Sequence, residues 1–90
     1  MTALQSAREQ KNMLQHELRN WEFMLQSAKN TLFELDFRNK RLRDLGKDPA
    51  PNLLNRIAKL LCHIAMCEDT IHEDKMTLLD IKEKILELTQ

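Results

Sequence analysis

The chain has 90 residues, 42% apolar and 31% charged, and its 14 basic side chains balance 14 acidic ones to a net charge of zero. That length excludes a two-domain enzyme, and one Trp and three Phe without a Tyr supply too little bulk for a deep compact core. The even charge argues against a general polyanion binder. A single Gly and two Pro leave so little turn chemistry that an all-α chain is expected.

Alternating steps of three and four from Leu4 meet Leu4, Ala7, Lys11, Leu14, Leu18, Trp21, Leu25, Ala28, Leu32, Leu35, Asn39 and Leu42. Only Lys11 and Asn39 in that series are polar. This is the a and d seam of a seven-residue repeat, and it predicts a first helix from about residue 2 to residue 45. If Trp21 is buried there, Trp21→Ala is expected to cost on the order of 3 kcal/mol.

The segment Gly46-Lys47-Asp48-Pro49-Ala50-Pro51-Asn52 is where helix-stop and helix-start signals cluster. Gly46 is suited to the left-handed residue that closes a helix, and Asp48 ahead of Pro49 is expected to cap the next one. The loop is therefore placed at residues 46–50.

A second series, Leu53, Ile57, Leu60, Ile64, Cys67, Ile71, Asp74, Leu78, Ile81, Ile85 and Leu88, is polar only at Asp74 and predicts a second helix from about residue 50 to residue 88. So short a loop cannot span the roughly 60 Å needed for a parallel partner, so the helices should fold back as an antiparallel coiled-coil hairpin. Setting Leu4 opposite Leu88 pairs Ala7 with Ile85, Leu14 with Leu78, Trp21 with Ile71 and Leu32 with Leu60. A competing arrangement is a rod broken at Pro49 and Pro51, because Ile at one seam position and Leu at the other favour parallel pairing of the second helix with its own copy.

Further apolar residues lie outside the seam. Phe23, Phe33 and Phe37 fall on b and f positions of the first helix, and Leu54, Ala58, Leu61, Ala65, Leu79 and Leu86 form a second stripe beside the seam of the other. A two-helix hairpin cannot cover them, which points to a homodimeric four-helix bundle or to another helical protein as partner. Phe23, Phe33, Phe37, Leu54, Leu61, Leu79 and Leu86 are the expected interface. Lys11, Asn39 and Asp74 are expected to set register, since a polar seam residue penalises wrong pairings at some cost in stability.

Charge segregates along the chain. Arg38, Lys40, Arg41, Arg43, Lys47, Arg56 and Lys59 surround the expected tip against only Asp36, Asp44 and Asp48, while seven acidic residues face three lysines from Glu68 onward. The basic tip suits an acidic protein surface or anionic lipid better than nucleic acid, for want of nearby Tyr or Trp to stack bases. Membrane association would be peripheral at most.

No chemistry is expected. Of Cys62, His63, Cys67 and His72 only His63 and Cys67 share a helix face, two ligands do not make a structural zinc site, and His16 stands alone. No glycine-rich phosphate loop or carboxylate pair in a pocket suggests a catalytic site, a cofactor or a small-molecule substrate. Two Cys, no long apolar run and no apolar signal core after Met1 fit an intracellular protein, cytoplasmic before nuclear. The expectation is one non-enzymatic module over residues 1–90, a piece of a larger scaffold or adaptor, acting in protein–protein interaction and oligomerisation. The alternatives are a hairpin adaptor that receives a small GTPase or similar switch protein, and a binder of anionic surfaces or nucleic acid through the tip.

Overall fold

The computed structural model describes residues 2–90. Among them are two helices, α1 (Ala3–Asp44) and α2 (Pro51–Thr89), with no strand between or beside them. They pack along their lengths as an antiparallel hairpin measuring 67 × 17 × 14 Å.

Each end of α1 has a local cause. Thr2 accepts at its hydroxyl from the Gln5 amide at 3.1 Å, and the Thr2 amide donates to Gln5 Oε1 at 3.1 Å, a reciprocal capping box. At the other end Gly46 takes φ +71°, the Lys47 amide reaches back to the Leu42 carbonyl and the Gly46 amide to that of Arg43. Those two bonds satisfy carbonyls that the last helical turn would leave open, and they turn the chain out of the helix.

The start of α2 differs from expectation. Asp48 is not its cap: the helix begins at Pro51, and Ala50 is the flanking residue, with no side-chain hydrogen bond to the first turn. The reason is the second proline. Ala50 precedes Pro51 and so must be extended, at φ −62° and ψ 142°, which stops Pro49 from opening a helix. The Ala50 carbonyl accepts from both Leu53 and Leu54 in compensation.

The seven-residue pattern describes what is covered. Of the 23 seam residues only Leu88 is exposed; Ala7, Ala28, Leu35, Ile64, Cys67, Ile71 and Leu78 are buried and the others partly so. The seam of α2 is taken up by α1, so a rod in which α2 keeps its seam for a second copy is not the arrangement found. Leu14 shares a surface recess with Thr77 and Ile81, and Thr31 and Leu35 share another with Leu60 and His63. Leu14 with Thr77 and Thr31 with Leu60 lie within one residue of the register expected from Leu4 facing Leu88, and Leu35 with Leu60 within half a repeat of it.

Candidate interaction face

A hairpin whose seams face each other has two long edges and two backs. Positions e and b of both helices form one edge, and g and c form the other. Glu22 and Lys75, both e, approach to 3.9 Å and mark the first edge. Both are about half exposed, so the pair is worth little in water. Thr31 and His63, both g, border a recess on the second edge together with Phe23, Met24 and Leu60.

The two edges differ in chemistry. The e/b edge carries Phe33 on α1 and Leu54, Ala58, Leu61 and Ala65 on α2, clustered toward the loop. Phe33 is 74% exposed and Leu61 50%. Leu79 and Leu86 continue the b column beyond the interruption of Glu68, His72 and Lys75. The g/c edge is mainly polar, with Met13, Met24 and Met66 as its apolar exceptions.

The seven residues expected to make one interface are all exposed, but they do not share one surface. Phe33, Leu54, Leu61, Leu79 and Leu86 lie on the e/b edge, Phe23 leans to the recess beside His63, and Phe37 is on the back of α1. The basic tip divides similarly. Arg56 and Lys59 border the recess with His63, Arg38 and Arg41 flank Leu42 and Leu45, and Lys40 and Arg43 belong to the e/b edge. Arg41 and Arg43 stand in the last turn of α1, where positive charge complements the helix dipole; Lys47 is exposed in the loop.

All three polar seam residues are half-buried. Lys11 shares a recess with Lys82, Ile85 and Leu86. Asn39 Oδ1 and Asp74 Oδ2 are buried without a hydrogen-bond partner. Desolvation holds the Asp74 carboxyl above the ordinary aspartate range, and the charges of Glu17 and Glu73 push it further the same way. Glu17 comes from the opposite helix, a proximity that counting along one seam does not reveal; its g position opposite the acidic stretch of α2 is the signal that held it.

Cys67 is fully buried and its Sγ lies 3.7 Å from Nε2 of His63, one turn away, while Cys62 is exposed. Among the described residues no group of three or more His, Cys, Asp or Glu side chains converges on a metal-sized space, and no helix is long and apolar enough to cross a membrane. Trp21 is half-buried in the seam, its indole N–H donating to Glu17 at 3.4 Å. His16 faces solvent.

Comparison with models of known protein families, with curated protein sequences and with solved structures finds no match to this chain.

Proposed function

We propose that this chain is a non-enzymatic, intracellular helix-packing module that extends its two-helix coiled coil by taking further helices onto the e/b edge. The observation that carries the reading is the asymmetry of the hairpin: one edge bears Phe33, Leu54 and Leu61 with the small side chains of Ala58 and Ala65 between them, and the other is mainly polar, its apolar exceptions being the scattered Met13, Met24 and Met66. Long apolar residues alternating with alanines offer ridges and notches to an incoming helix, and burying them supplies affinity without any pocket. Leu54→Asp together with Leu61→Asp should leave helicity unchanged by circular dichroism and abolish association, whether with itself or with another helical protein. Association that survives both changes refutes the assignment.

The basic tip supports a second, subordinate reading as a dock for an acidic surface. Arg38 and Arg41 flank an apolar recess formed with Leu42 and Leu45, so a ligand there would meet charge and apolar area together. Arg38→Glu with Arg41→Glu should remove binding to anionic vesicles and leave helix packing on the e/b edge intact. Receipt of a switch protein such as a small GTPase on the hairpin face is an alternative form of the first reading, tested by whether capture depends on bound nucleotide.

A further inference from the structure

We propose that the occupant of the e/b edge is a second copy of this chain, stacked face to face and antiparallel about a two-fold axis that passes near Leu61 and Phe33. This rests on the reading of that edge as a helix-packing surface and adds its occupant and its register.

Charge selects the direction. Two hairpins stacked with their loops together would set one basic tip against the other, whereas opposite directions move each tip toward the acidic residues that follow Glu68. In the antiparallel stack α1 lies on α1 of the second copy and α2 on α2, so each helix meets its own sequence reversed. With the axis half a residue beyond Leu61, Ala58 meets Ala65 of the second copy and the two Leu61 side chains lie one residue apart. Alanines at those places let the two α2 helices approach closely.

The register of α1 follows to within about a residue. Thr31 shares its recess with Leu60 and His63, so the level of Leu61 on α2 corresponds to that of Thr31 and Leu32 on α1, about 2 Å from the midpoint between Leu32 and Phe33. An axis at that level brings Lys29 opposite Asp36 of the second copy and Arg43 opposite Glu22, each at position e, with the two Phe33 rings meeting near the centre. The 3.9 Å separation of Glu22 from Lys75 leaves Glu22 able to accept from that arginine. One axis thus brings Leu61, Ala58 and Ala65 of α2 onto their copies and matches the charged column of α1, while Leu54 falls within one residue of the level of Glu68 of the second copy.

The overlap covers about 20 residues of each helix near the loop, or roughly 30 Å. Across a molecule 17 Å wide this is a footprint of about 500 Å² per copy, or about 1,000 Å² in total, the size of a weak and transient contact rather than of a stable dimer. Dimerisation is therefore concentration-dependent. Because the overlap is partial, the dimer is about 100 Å long, against 67 Å for the single hairpin.

The test uses the full chain carrying Cys62→Ser. Leu61→Cys should be joined to its own copy by a short bis-maleimide, and Leu79→Cys, on the same edge but outside the overlap, should not. Lys29→Glu or Asp36→Lys alone should weaken dimerisation about tenfold by sedimentation equilibrium, since two symmetric contacts are lost at once, and the double exchange should restore it. Equal linking at both cysteines, an exchange that fails to restore, or a helical chain that stays monomeric at millimolar concentration would overturn the proposal. If the monomer still loses a different helical ligand through Leu54→Asp with Leu61→Asp, the second copy is rejected while the edge keeps its role.

Discussion

Asp74 occupies a seam position where leucine or isoleucine would pack, one carboxylate oxygen is buried without a partner, and Glu17 and Glu73 add like charge. All of these favour the protonated acid in the folded state. With the folded pKa raised above the unfolded one, the folded chain binds the proton first as pH falls, so this residue's contribution to stability improves on acidification and worsens as pH rises through the folded value. Asp74→Leu should stabilise the hairpin by about 1–2 kcal/mol at pH 7 and by less at pH 4, in thermal melts. A gap that stays constant between the two pH values would dismiss this account. Trp21 is the other seam residue with a measurable share. Its ring is only half-buried and its N–H already reaches Glu17, so Trp21→Ala should cost about 2 kcal/mol, less than full burial would give.

At the scale of elements, the loop holds the sharpest local constraint. Gly46 sits at φ +71° with open space around its missing Cβ, so a substitution there acts through backbone strain alone. Gly46→Ala should cost about 1 kcal/mol in urea denaturation, with no change in the denaturant slope. Both helices were legible because the seven-residue repeat is nearly unbroken, and Gly46 because only glycine fits a left-handed closing residue cheaply. The start of α2 is not legible for a definite reason: Asp48-Pro49 carries a standard start signal, but a second proline two residues later forces Ala50 out of the helical region and moves the start to Pro51. The residues expected at an interface were legible as exposed and illegible as a surface. Whether Phe23, Phe33 and Phe37 lie together depends on which side of the hairpin the partner helix leaves open, and a one-helix pattern contains no such side.

The whole molecule is governed by its shape. Its radius of gyration is 20.0 Å, where a compact chain of this length has about 12 Å. Its 7114 Å² of accessible surface exceeds the roughly 5,500 Å² of a globular protein of this mass. Two helices side by side cannot enclose a centre, which is why only seven described residues are buried apolar ones and why so many large apolar side chains face water. X-ray scattering of the dilute monomer should return a radius of gyration near 20 Å; a value near 12 Å would mean that the hairpin folds further on itself.

The six-residue return at residues 45–50 also fixes where the two ends of the chain emerge. Thr2 and Gln90 leave from the same end of a 67 Å rod, and the loop is at the other. Whatever is joined to either end departs from one pole, side by side. In a tip-overlapped pair the two poles point away from each other, so the assembly would behave as a strut that holds its attachments about 100 Å apart and leaves its own middle as the only thick section.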